Sequence, residues 1–132
     1  MRFLVAEDES TSLRVMQEFL APYGECDIAE NGTQAINMFK QSLQEERVYD
    51  LICLDIMMPE INGQQALKQI RAIEKENGMK SGEGVKVIMT TALGDQKNVI
   101  EAFYKGGALA YLVKPIKKQK LFTEMRNLGL QV

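Results

Sequence analysis

A chain of 132 residues, 45% hydrophobic and 26% charged, is sized for one domain with a single core and lacks the composition of a disordered segment. It has no run long enough to span a bilayer and no signal-peptide pattern, and the complete absence of histidine removes Ser-His-Asp and Cys-His catalysis and most zinc sites. The net charge of −2 hides an asymmetry: residues 1–66 carry −8 and residues 67–132 carry +6.

Residues 2–7, RFLVAE, read as a short buried strand. Ser10 or Thr11 is placed to cap a helix running to about Tyr23, with Leu13, Met16, Phe19 and Leu20 on one face, and Pro22 and Gly24 mark its end. Glu25–Glu30 alternates as an edge strand with one wet face. Asn31-Gly32 turns the chain, and Thr33 opens a helix burying Ala35, Ile36, Phe39 and Leu43. The unbroken apolar run Leu51–Leu54 suits a strand covered on both faces, and it stops at Asp55, before Pro59 and Gly63 break the chain.

A third helix is predicted from about Gln64 to Glu76, burying Leu67, Ile70 and Ile73. The stretch NGMKSGEG, 77–84, is longer than the usual helix-to-strand link and reads as a mobile surface excursion without assigned chemistry. VKVIMT, 85–90, forms a fourth strand, Thr91–Gly94 a loop, and Asp95 caps a helix with Val99, Ala102 and Phe103 that stops at Gly106-Gly107. Leu109–Val113 is the fifth strand, and a last helix turns Leu121, Phe122, Met125 and Leu128 inward. Five strand–helix units imply an α/β fold, a parallel sheet with helices on both faces and right-handed crossovers. Cys26 and Cys53 form no CxxC pair and read as buried free thiols. The cluster Lys114, Lys117, Lys118 and Lys120 lacks the interleaved aromatics of a nucleic-acid surface, so a solvated helix start or an acidic protein partner is expected.

In a parallel sheet the strand ends share one rim. Strand one ends in Glu7, Asp8 and Glu9, strand three in Asp55, strand four in Thr90 and Thr91, strand five in Lys114. If strands one and three are neighbours, the acids meet at the topological switch point. Carboxylates so crowded repel unless a cation lies among them, and hard oxygen ligands select Mg²⁺. A lysine and a hydroxyl opposite would complete a site for a phosphoryl group.

These residues resemble the receiver domain of two-component response regulators, most nearly the single-domain type used in chemotaxis. The resemblance rests on Glu7-Asp8, AENG at 29–32, LDIMMPEING around Asp55, TTA at 90–92 and YLVKP at 111–115, in order along essentially the whole chain. It implies a flavodoxin-like five-stranded sheet of order 2-1-3-4-5 and one receiver domain over 1–132 with no output domain. Asp55 is then the phosphoacceptor. Asp8 and Asp55 ligate Mg²⁺, the Met57 carbonyl supplies a third ligand, and Glu7 acts through water. Thr91 and Lys114 bind phosphoryl oxygens, and Tyr111 is the aromatic that turns inward with Thr91. The Lys114-Pro115 bond is expected to be cis from the resemblance alone, since only about 5–6% of X-Pro bonds are.

The residues two beyond the acceptor and two beyond the threonine are Met57 and Leu93, both apolar, which implies slow hydrolysis of the phosphorylated state. The resemblance further implies a sensor histidine kinase or phosphotransfer protein as donor, since this chain has no histidine of its own. It implies a downstream protein target on the surface of the fourth helix, fifth strand and last helix, a cytoplasmic location, and a regulatory rather than enzymatic role. A haloacid-dehalogenase-like phosphatase needs a second acid two residues beyond its nucleophile, where Met57 stands. A receiver-like interaction module that is never phosphorylated would not need the full acid, threonine and lysine set.

Overall fold

The computed structural model describes residues 1–80, 82–92 and 110–132. Five parallel strands, β1 (Arg2–Ala6), β2 (Glu25–Ala29), β3 (Leu51–Asp55), β4 (Lys86–Thr91) and β5 (Ala110–Val113), lie in the order β2-β1-β3-β4-β5. Four helices are described: α1 (Ser10–Leu20), α2 (Gly32–Gln44), α3 (Gly63–Glu76) and α4 (Lys118–Asn127). The helix expected from Asp95 to Gly106-Gly107 lies outside the described residues.

The sheet divides the core in two. Side chains alternate across a strand, so Leu4 and Ala6 of β1, Ile52 and Leu54 of β3 and Val87 and Met89 of β4 face α2 and α3, meeting Ala35, Ile36, Phe39, Leu67 and Ile70. Their neighbours Phe3, Val5, Leu51, Cys53 and Ile88 face α1 and α4, meeting Met16, Leu20, Leu121, Phe122 and Met125. That is why β3 shows no polar alternation: both of its faces are core.

Several local expectations shift. Glu9, not Ser10 or Thr11, caps α1, its carboxylate accepting from Thr11 N–H at 2.9 Å and Ser12 N–H at 2.7 Å. A hydrogen bond from the Ser12 side chain first, then those backbone bonds, hold the exposed Glu9 carboxyl down at about 2. The helix tightens at Ala21 into a 3₁₀ turn through Tyr23, where Pro22 cannot continue the α-ladder. Asn31 caps α2, so the helix starts at Gly32, and β4 runs on through Thr91, which belongs to the strand rather than the loop. Leu43 and Leu128 are only partly buried. The 77–84 stretch is anchored at its far end: Val85 N–H donates to the buried Glu74 carboxylate at 2.6 Å, and Arg71 holds the other Glu74 oxygen at 2.7 Å. Both cysteines are free, Cys53 buried and Cys26 half-buried. No described helix is long and apolar enough to cross a membrane.

Candidate functional site

Registry sets the rim. Ala6 pairs with Leu54, Asp55 with Thr90, and Thr91 with Val113, so Glu7, Asp55, Thr91 and Lys114 leave four adjacent strands at one level. Backbone bonds tie these ends together, with Glu7 N–H on Ala29 O at 3.1 Å, Ile56 N–H on Thr90 O at 2.9 Å and Lys114 N–H on Thr91 O at 2.7 Å. The Lys114-Pro115 bond is cis.

Asp55 is 3% exposed. One of its oxygens accepts from Met57 N–H at 3.0 Å, and the other takes the Lys114 ammonium at 3.0 Å. The same ammonium lies 2.9 Å from Glu7 Oε1, which also accepts from Glu9 N–H at 3.2 Å. Carboxylate oxygens of Glu7, Asp8 and Asp55 lie within 4.8 Å of one another, with Asp8 on the solvent side.

This crowding shows in the titration of Glu7. Burial first, then the facing Asp55 carboxyl, push it from 4.5 up to about 7, against the opposing pull of Lys114. For Lys114 burial works against the charge, but its bonds to Glu7 and Asp55 outweigh that and raise its pKa. The site is short of positive charge. Three hard carboxylates with one ammonium fit a divalent cation bound through oxygen.

Of the remaining expected site residues, Thr91 is buried and its hydroxyl donates to Ala92 O at 3.2 Å. Met57 is exposed, and Tyr111 is 44% exposed on β5. Leu93 lies outside the described residues. Sequence reasoning expected Glu7 to act on the cation through water; its burial, 3% exposed, and its direct ion pair with Lys114 were not foreseen. Gly63 was read as a breaker. A Cβ there would stand 2.4 Å from the Asp55 carbonyl oxygen, so the first turn of α3 closes on the acceptor strand only with glycine.

A five-stranded, flavodoxin-like α/β sheet with an acid–lysine cluster at the switch between β1 and β3 defines a class of signalling domains. The chain belongs to the response regulator receiver domain family, whose sequence profile matches residues 3–126. It is 32% identical over 122 residues to the chemotaxis protein CheY of Bacillus subtilis, covering 91% of this chain and 90% of that one. It superposes on a response regulator receiver domain from Clostridium thermocellum with a TM-score of 0.79 at 30% identity, covering 96% and 91% of the two chains. A third similarity is to the receiver domain of Saccharomyces cerevisiae Ssk1, solved with the histidine phosphotransfer protein Ypd1, with a TM-score of 0.80 at 28% identity over 98% and 88% of the chains. This chain is thus a receiver domain of two-component signalling.

Proposed function

We propose that the domain is a phosphorylation switch in which Asp55 accepts a phosphoryl group from a histidine kinase or phosphotransfer protein. The observation that carries the reading is the convergence on one buried carboxylate: Lys114 at 3.0 Å, and Glu7 and Asp8 oxygens within 4.8 Å. The likeness to a receiver solved with a histidine phosphotransfer protein supports the choice of donor.

Asp8 and Asp55 would hold Mg²⁺ directly, with the Met57 carbonyl as a third ligand and Glu7 through water. The ion supplies charge neutralisation for a phosphoryl group approaching an anionic nucleophile. Asp55 attacks phosphorus, the donor's P–N bond breaks, and an acyl phosphate forms on the carboxylate. Lys114 swings from the carboxylates to a phosphoryl oxygen, and the Thr91 hydroxyl exchanges its bond to Ala92 O for another. The apolar side chains of Met57 and Leu93 offer no group to orient attacking water, so the product decays slowly. The domain regulates, and its only catalysis is of its own phosphorylation and dephosphorylation.

Movement of Thr91 and an inward turn of Tyr111 would then change the surface of β5 and α4. A groove of about 590 Å³ lies there, lined by Tyr111, Val113, Gln119, Lys120, Thr123 and Glu124 among others. With Lys117 and Lys118 beside Lys120 in the sequence, it suits an acidic protein partner, and undiminished partner binding after charge reversal of all three lysines would remove that step. The main test is intact mass after treatment with acetyl phosphate and Mg²⁺. The expected gain is one phosphoryl group, lost with chelator and in Asp55→Asn; an undiminished label in Asp55→Asn refutes the reading.

A further inference from the structure

The eight methionines are unequally placed. Met16, Met58, Met89 and Met125 are buried, and Met38 and Met79 are partly covered. Met57 is 61% exposed, against 39% for Met1, although its neighbour Met58 is 6% exposed. Met57 is also the residue whose backbone N–H donates to Asp55 at 3.0 Å. The most accessible thioether in the protein is thus bonded through its own amide to the buried acid at the centre of the site.

We propose that Met57 is an oxidation site, converted by hydrogen peroxide to the sulfoxide, and that this modification shortens the life of the phosphoryl group on Asp55. The second half rests on the phosphorylation reading above. In the modification a sulfur lone pair attacks one peroxide oxygen, the O–O bond breaks, and water leaves. Sulfur loses two electrons and peroxide oxygen gains them.

The consequence follows from hydrogen bonding. A thioether is a weak acceptor, while a sulfoxide oxygen is a strong one. The Met57 side chain springs from a backbone already pinned to Asp55, so its sulfoxide oxygen sweeps the space in front of the carboxylate. There it accepts a hydrogen bond from a water and turns that water's lone pair toward phosphorus. The apolar residue that kept water unoriented becomes the one that orients it, and reductases that return sulfoxide to thioether make the change reversible.

The experiment uses the full chain. Limited hydrogen peroxide followed by peptide mapping is expected to give sulfoxide at Met57 before any other methionine. Loss of the aspartyl phosphate, followed by intact mass, is expected to run about threefold to tenfold faster in the oxidised protein, the rate factor of one added hydrogen bond. Methionine sulfoxide reductase restores the slow rate, and Met57→Leu keeps its own rate through the peroxide treatment. Met57→Gln, which carries a fixed amide oxygen, decays faster without peroxide. First oxidation at another methionine, or an unchanged decay once Met57 is oxidised, overturns the inference while leaving the phosphorylation reading intact. Failure of the untreated protein to take a phosphoryl group at all overturns that reading, and the lifetime effect with it.

Discussion

Glu7→Gln gives the most direct test of the electrostatics at the rim. Glu7 is 3% exposed and titrates near 7 in the folded chain, against 4.5 for a free side chain. A raised folded pKa means that the folded state holds a proton which the unfolded state has released. The Glu7 contribution is therefore fully present below pH 4.5 and is lost as pH rises to and through 7. At about 1.4 kcal/mol per pH unit, the loss reaches about 3 kcal/mol at pH 8. Glutamine keeps the size and hydrogen-bonding capacity of the protonated acid without the charge. Urea unfolding in chelator should show the variant and the native chain alike at pH 4, and the variant more stable by about 3 kcal/mol at pH 8. That difference moves the midpoint by about 1–3 M. Comparison of the two proteins at each pH cancels the other carboxylates that titrate in the same window. Mg²⁺ should narrow the gap: at a hundred times its dissociation constant it adds about 2.7 kcal/mol to the native chain and less to Glu7→Gln. A variant less stable than the native chain at pH 8 in chelator, or a difference that is flat from pH 5 to 8, refutes this account of the site.

Lys114→Met leaves Glu7 and Asp55 facing each other without a cation, and is expected to cost about 3–5 kcal/mol at pH 8 in chelator. Denaturant titration should show that cost shrink on adding Mg²⁺ or on going below pH 5; a loss indifferent to both would show that the lysine matters by packing alone. Gly63→Ala forces a Cβ against the Asp55 carbonyl oxygen and is expected to destabilise by about 1–3 kcal/mol, with weaker Mg²⁺ binding by calorimetry. An alanine variant with native stability and affinity would mean that α3 does not fix the acceptor strand. Burial pushes the Cys26 thiol up to about 11 and that of Cys53 higher still. Both should react with an aromatic disulfide at pH 8 only after unfolding, and rapid labelling of the folded chain would contradict this.

Strand positions were legible because they depend on local pattern. The run Leu51–Leu54 announces a strand buried on both faces, and the alternation in β1, β3 and β4 sorts its neighbours into two cores without further information. The strand ends were legible for the same reason, and the sheet order followed from the resemblance. Glu7 was harder to read. Its partner Lys114 lies 107 residues away, and no local pattern says which of three consecutive acids turns inward. The α1 cap failed for a different cause. Glutamate is outside the residues favoured at N-caps, yet Glu9 reaches two amides, so a reading by preference lands one or two residues late. Gly63 illustrates a third limit. Its role comes from the approach of α3 to Asp55, and a breaker signal in sequence does not distinguish a flexible turn from a tight contact.

The bonds at the rim also suggest why the proposed chemistry would be felt on β5. Thr91 supplies the hydroxyl on β4, and its carbonyl accepts from Lys114 N–H at 2.7 Å. Lys114 supplies the ammonium, and the three residues before it are Tyr111, Leu112 and Val113, all in the wall of the groove. On the phosphorylation reading, the two side chains that grip the phosphoryl group sit on backbone already hydrogen-bonded to each other, one residue from the groove wall. A shift of Thr91 toward phosphorus therefore moves either the 2.7 Å bond or β5 with it, and a buried backbone bond is costly to leave unmade. Strand movement is the cheaper response. Among the described residues, the end of β2 is tied to the site by the bond from Glu7 N–H to Ala29 O; it carries neither Thr91 nor Lys114 and has no comparable reason to move. The asymmetry predicts that amide shifts on phosphorylation concentrate in 110–114 and spare 25–29, and equal shifts at both edges of the sheet would show that the signal does not travel by this bond.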